Sequence, residues 1–243
     1  MSDDNIIFGR NPVIELLKSH HSINKILIAD GTNDGSIKKI TALAIDNKIN
    51  VEFVSRHKLD RIAEHQNHQG VIALAAPVDY STLDDIINGV DNPFLLLLDE
   101  IQDPHNFGAL LRTAEAVGVN GVLIPKHRSV SLNATVAKTS AGAVEYVKVA
   151  QIGNVAHTIR QLKDDGFIIV GGDVGGQSIF NPIDLSDPIV LVIGSEGKGL
   201  RRLTKELCDH LISIPMVGKI NSLNASAAGA VLMYEVLRQR IAQ

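Results

Sequence analysis

A chain of 243 residues with 45% hydrophobic content can bury one large core or two modest ones. Its formal charge of −4 argues against a protein that coats nucleic acid by bulk electrostatics, and its single cysteine leaves no intrachain disulfide to form. The central apolar run, Phe94 to Leu98, is far too short to cross a bilayer.

The first residues, Met1-Ser-Asp-Asp, lack a basic-then-apolar export signal, so a cytoplasmic location is expected. Up to Pro77 the chain carries nine Lys/Arg against nine Asp/Glu, so any RNA surface there must be a local patch. Ile26 to Ala29 reads as a strand, Ile37 to Asn47 as a helix and Val51 to Val54 as a second strand. Leu59 to Glu64 fits a short helix and Gly70 to Ala75 a further strand. Arg10 and Asn11 are candidate RNA contacts, with a plain loop or helix-entry role as the alternative. Residues 1–76 are expected to form a small α/β domain and 77–93 a linker with a helical turn at Leu83 to Ile87.

Residues 94–243 restart the pattern. Phe94 to Leu98 is apolar in the manner of a strand covered on both faces. Strand-like segments recur at Gly121 to Ile124, Tyr146 to Val149, Phe167 to Val170, Ile189 to Ile193 and Leu211 to Ile214, with helical stretches between most of them. The fold class is therefore α/β, with a mostly parallel sheet and flanking helices.

Three segments here carry candidate chemistry. In the first, Asp103-Pro104-His-Asn106-Phe-Gly108 enters a helix, with the aspartate as cap and the proline in the first turn. Arg112 lies four residues after Gly108, so its side chain leans back across a position without a side chain, toward the strand's carboxyl end. Ligands of open α/β sheets bind at that edge. A simple pair of caps and a solvated arginine would explain the same residues.

In the second, the strand Ile189 to Ile193 runs into Gly194-Ser-Glu196-Gly-Lys198-Gly199, three glycines around one glutamate. Such a loop permits close backbone approach to a ligand. The phosphate-loop spacing is missing, and Gly171 to Gly176 misses the dinucleotide fingerprint, so the latter reads as a structural turn with Gly172 a possible pocket wall. Lys198, Arg201, Arg202 and Lys205 read either as phosphate contacts or as a solvated charged face. Cys208 sits in a polar helical stretch without a His/Cys cluster, so no metal site is expected.

The third segment, Ile214-Pro-Met through Ser222-Leu223-Asn224-Ala-Ser226, precedes a terminal helix. Small residues there admit close packing, and Ser222 and Asn224 offer polar groups at the helix mouth.

In order, separation and content the three segments resemble the SpoU branch of the SPOUT RNA methyltransferases. The N-terminal part, with Phe8-Gly-Arg10-Asn-Pro at its start and His68-Gln-Gly-Val at its end, is similar to the substrate-binding domain of such enzymes. The likeness is to those that methylate a guanosine 2'-hydroxyl in large-subunit (23S) ribosomal RNA; the same reaction on transfer RNA and a catalytically silent RNA-binding module are the alternatives.

This resemblance implies a C-terminal trefoil knot, a homodimer with its active site near the interface, and S-adenosyl-L-methionine held by Gly194, Ile214 and Leu223. It assigns Asn106, Arg112, Glu196, Ser222 and Asn224 to the catalytic set. A guanidinium stays protonated, so Arg112 is expected to clamp phosphate and stabilise a developing alkoxide. The reaction needs no metal and no membrane.

Overall fold

The computed structural model describes residues 5–18, 23–64, 67–75, 80–179, 183–219 and 222–241. Two compact units emerge, Met1–Asp79 with Ser131–Tyr146, and Tyr80–Val130 with Val147–Gln243.

In the first unit β1 (Asn5–Phe8), α1 (Arg10–Lys18), β2 (Ile23–Ala29), α2 (Gly35–Asp46), β3 (Val51–Val54), α3 (Arg56–Ile62) and β4 (Val71–Ala75) follow the chain. The described strands form a sheet in the order β1-β4-β2-β3, with only β2 and β3 parallel. That pair needs a crossover, which α2 supplies, capped where Asp34 accepts from the backbone N–H groups of Ser36 and Ile37. One face of the sheet buries Phe8, Leu27, Val54, Leu59 and Ile72 together. Arg10, a candidate RNA contact, pairs with Asp34 at 2.6 Å and donates from Nε to the Gln69 carbonyl at 3.2 Å, a fastening within the unit.

The second unit begins earlier than expected. Of the anticipated linker, 77–79 lie outside the described residues, whereas Tyr80 to Pro93 is built into the unit. Its helix α4 (Leu83–Ile87) carries a complete capping box between Thr82 and Asp85 and buries Ile86 in the main core. A Cβ on Gly121 would lie 2.5 Å from Ile86 Cγ2, so the side chain fills the space that glycine leaves. Conversely, Ser131–Tyr146 groups with the first unit. Its α6 (Ala134–Thr139) and the 3-10 turn Ala143–Glu145 lead to Tyr146, whose hydroxyl donates to Glu15 at 2.7 Å.

The expected strand at Tyr146 to Val149 starts later for this reason, at Val149.

The sheet of the second unit comprises β5 (Phe94–Asp99), β6 (Gly121–Pro125), β7 (Val149–Ile152), β8 (Ile168–Ser178), β9 (Ile189–Gly194) and β10 (His210–Ser213). All neighbours are parallel, in the order β10-β8-β9-β5-β6-β7. Parallel pairing demands crossovers, provided by α5 (Pro104–Ala116), α7 (Val155–Asp164) and α8 (Arg202–Leu207), while α9 (Ala225–Ile241) packs against α5. Every residue of β5 and β9 is buried, as their apolar runs require. From β5 the chain moves toward β6; from β9 it moves toward β10. The sheet therefore switches direction between these two neighbours, and Asp99 pairs with Gly194 at their carboxyl ends. A crevice opens at such a point.

β8 differs from its predicted form. The run Gly171 to Gly176 was expected to be a turn, yet the strand continues through it to Ser178. Leu211 of β10 pairs with Gly171 and the next residue, Ile212, pairs with Gln177, so the intervening residues of β8 leave the β10 ladder. Glycine makes this possible, because a Cβ on Gly176 would lie 2.5 Å from the Leu211 carbonyl carbon.

Candidate active site

Two cavities open at the carboxyl ends of β5 and β9. The larger, about 330 Å³, lies among the β8 excursion, the 194–199 loop and the segment after β10. Gly194, Ile214, Leu223 and Ser222 all line it, as does Gly172. The smaller, about 270 Å³, lies between the β5 end and the same loop, lined by Glu100, Gln102, Asp103 and Asn106. Ser195, Glu196 and Lys198 belong to both walls. The glutamate loop is thus the partition.

Why the loop folds back is a matter of backbone sterics. Gly199 N donates to Ser195 O at 2.9 Å, and Gly197 and Gly199 take φ values of 75° and 64°. A Cβ on Gly194 would stand 2.2 Å from the Gly199 carbonyl carbon, so at this crossing only glycine fits. The turn leaves Glu196 exposed at its tip.

Asn106 sits in the first turn of α5, which starts where Asp103 caps the His105 N–H at 3.1 Å and Pro104 presets the first helical backbone angle. Its side chain is 7% exposed. At the entry to α9, Asn224 Oδ1 accepts from Ser226 N at 2.9 Å and from the Ser226 hydroxyl. Its amide nitrogen then donates to Asn106 Oδ1 at 2.9 Å and to the Glu196 carboxylate. Three sequence segments meet at one amide group.

The profile of the SpoU rRNA Methylase family matches residues 93–234, and that of RNA 2'-O ribose methyltransferase substrate binding matches residues 6–81. The chain belongs to the SpoU rRNA Methylase family. The protein of Bacillus subtilis (strain 168) named "Putative TrmH family tRNA/rRNA methyltransferase YacO" is 46% identical over 238 residues, 96% of this chain and 95% of its own. One from Staphylococcus saprophyticus with the same family name is 47% identical over 239 residues, 97% and 96% of the two chains. The crystal structure of the SpoU methyltransferase AviRb from Streptomyces viridochromogenes, in complex with the cofactor AdoMet, shares the fold. Its TM-score is 0.84 at 23% identity, over 99% of this chain and 92% of AviRb.

In this SpoU methyltransferase the predicted residues fall into two groups. Asn106, Glu196 and Asn224 are joined by hydrogen bonds, and Ser222, Leu223, Ile214 and Gly194 face the larger cavity. Arg112 stands apart. It is exposed on α5, lines neither cavity, and makes no hydrogen bond or ion pair among the described residues. Of the third segment, residues 220–221 lie outside the described residues.

Sequence reasoning missed the ion pair behind the loop between the buried Asp99 and the exposed Arg201. Asp99 ends β5 and is wholly buried, with Arg201 Nη2 at 2.6 Å and Arg201 Nε at 2.7 Å from its Oδ1, and Arg201 N at 3.2 Å from Oδ2. This fastens the start of α8 to β5, the strand that leads into the helix carrying Asn106. The signal was present as a carboxylate closing an all-apolar strand, a position where burial demands a partner.

Lys205 is likewise engaged, 2.7 Å from Asp173 at the cavity wall. Burial raises the pKa of Asp173, but the hydrogen bonds from Lys205 and Gly175 N and the lysine's charge outweigh it, and the carboxyl ends below the usual value. Arg202, paired with Glu206 on the surface, keeps the solvated role, and Lys198 is exposed on the loop. Burial, with Asp209 next, pushes the Cys208 thiol up to about 12, so it is an inert thiol at neutral pH. Among the described residues no cluster of three or more His, Cys, Asp or Glu could hold a metal, and no helix is long and apolar enough to cross a membrane.

Proposed function

We propose that this protein transfers a methyl group from S-adenosyl-L-methionine to a guanosine ribose 2'-hydroxyl in large-subunit (23S) ribosomal RNA, in the cytoplasm. The observation that carries the reading is the Asn106–Asn224–Glu196 cluster on the wall between two adjoining cavities. One cavity suits a donor and the other an acceptor.

The larger cavity fits the adenosyl cofactor by its chemistry. Gly194 and Gly172 bring bare backbone to its wall, while Ile214, Leu223 and Leu232 give apolar surface for a purine ring. When bound, the cofactor supplies an electrophilic methyl group. The chain's part is to align the hydroxyl, exclude water and manage its proton. Asn224 donates to Glu196 Oε1, while Oε2 has no partner among the described residues and is free to accept the hydrogen of a ribose hydroxyl.

Arg112 joins this set through a homodimer. Its exposure and its lack of partners among the described residues support a site completed across the subunit interface, where it clamps the phosphate beside the ribose and steadies the alkoxide. To this reading belongs a C-terminal trefoil knot, with Asn224 at the entry to α9 hydrogen-bonded to Asn106 and to Glu196 of the 194–199 loop.

The test mixes two inactive variants, Arg112→Ala and Glu196→Ala, in one dimer population. Restored transfer to about a quarter of the wild-type value per dimer site supports the shared site, since random mixing gives half heterodimers with one intact site each. Absence of any rescue, with dimers present, contradicts it. Both variants keep cofactor affinity; loss of that affinity in Arg112→Ala overturns the role given to the arginine.

A further inference from the structure

We infer that Glu100 is the residue that reads the target base, receiving the Watson–Crick edge of guanine in the smaller cavity. This rests on the methyltransfer reading above and goes beyond it, because it names the group that makes guanosine the preferred nucleoside.

Glu100 is the first residue beyond β5 and holds φ at 65°, in the left-handed region that favours glycine. A glutamate kept there at a conformational cost, beside a site, invites a functional reason. Its side chain is only 17% exposed and lines the smaller cavity with Gln102, Asp103 and Asn106. Arg128 Nη1 and Arg201 Nη1 approach Glu100 Oε1 at 3.4 and 3.6 Å, fixing the carboxylate from one side. Oε2 has no partner among the described residues. A mostly buried carboxylate thus keeps one oxygen unspent, in a cavity divided from the cofactor cavity by Glu196.

The chemistry of the bases selects guanine for such a group. A carboxylate only accepts hydrogen bonds. Guanine alone presents two adjacent donors on one edge, N1–H and the N2 amino group. Adenine and cytosine set an acceptor ring nitrogen beside their amino donor, and uracil flanks its N–H with two carbonyls, so each brings an acceptor against the carboxylate. Recognition of a splayed base on its Watson–Crick edge is the usual mode for single-stranded RNA. A site built to hydrogen-bond such donors rejects analogues lacking them, since its own polar groups are left unpaired.

The experiment uses the full-length protein and an unmodified large-subunit ribosomal RNA fragment whose methylated position is mapped with the wild type. Two further fragments carry inosine or adenosine at that position; inosine lacks the N2 amino group. Wild type is expected to favour guanosine over inosine by at least about tenfold in kcat/KM. Glu100→Gln is expected to lose about tenfold or more on guanosine, to treat guanosine and inosine nearly alike, and to bind S-adenosyl-L-methionine with unchanged affinity.

Glu100→Gly guards against misfolding, because glycine accepts the left-handed backbone; its Tm should be no lower than wild type while the discrimination is lost. Guanosine methylation with the wild-type preference intact in both variants overturns the role of Glu100 and leaves the methyltransfer reading standing. Wild-type label on a different nucleoside overturns the guanosine reading and this inference with it.

Discussion

The amide nitrogen of Asn224 donates to Asn106 Oδ1 at 2.9 Å and to the Glu196 carboxylate, joining residues 118 and 28 positions away. Its two hydrogens match two acceptors, while Oδ1 caps α9 through Ser226. Asn224→Asp keeps the cap and removes the donors, placing three acceptors together. Methyl transfer is expected to fall by at least about a hundredfold and stability by about 1–3 kcal/mol, read by single-turnover assay and thermal melting. Wild-type turnover would show that the cluster is only a fastening.

Gly194 and Gly197 separate crowding from backbone strain. Alanine at 194 must push its Cβ into the Gly199 backbone at 2.2 Å, which cannot yield as a side chain would. We expect about 3 kcal/mol of destabilisation or more, with cofactor binding lost. Alanine at 197 meets nothing within 4 Å and bears only the cost of φ 75°, about 1 kcal/mol. Urea unfolding ranks the two; equal effects would contradict the steric account.

How far the sequence foretold this arrangement depends on what held each segment. β5 and β9 were legible because they are buried on both faces, and an apolar run has few other uses. The three motifs were legible as a set, and the structure joins Asn106, Glu196 and Asn224. The glycine run of β8 was misread, because its excursion depends on contact with Leu211 of a strand 40 residues later. Tyr80 to Pro93 looked like a linker since its anchors lie far along the chain, among them Ser81 N donating to Val149 O at 2.8 Å and Ile86 filling the space beside Gly121, and neither partner gives a local sign of it. Arg112 was expected to lean toward the crevice, a local inference about direction that says nothing of what a side chain meets.

The Asp99–Arg201 pair predicts a large difference between the neighbouring arginines Arg201 and Arg202. Arg201→Ala strands a wholly buried carboxylate and should cost about 3–5 kcal/mol by urea unfolding. Arg202→Ala, two residues into the same basic stretch, loses only a surface pair with Glu206 and should change stability by less than about 1 kcal/mol. Similar losses in both would contradict the burial argument.

Acid titration tests the cavity-wall pair Lys205–Asp173. The Asp173 carboxyl is held below its ordinary 3.8, so its contribution is fully present above that value and disappears as pH falls through the lower folded value. Asp173→Asn should therefore be less stable than wild type at neutral pH, with the gap narrowing in the acid range below 3.8. A gap that stays constant down to the lowest pH of folding would exclude the ion pair as its source.

The central claim is the reaction itself, and the measurement is transfer of labelled methyl from S-adenosyl-L-methionine to unmodified large-subunit ribosomal RNA and, separately, to transfer RNA, followed by nucleoside analysis. 2'-O-Methylguanosine is expected from the ribosomal RNA alone. Label on a base rather than a ribose, or none on either RNA from a folded dimer, would contradict it; label on transfer RNA would keep the chemistry and change the substrate.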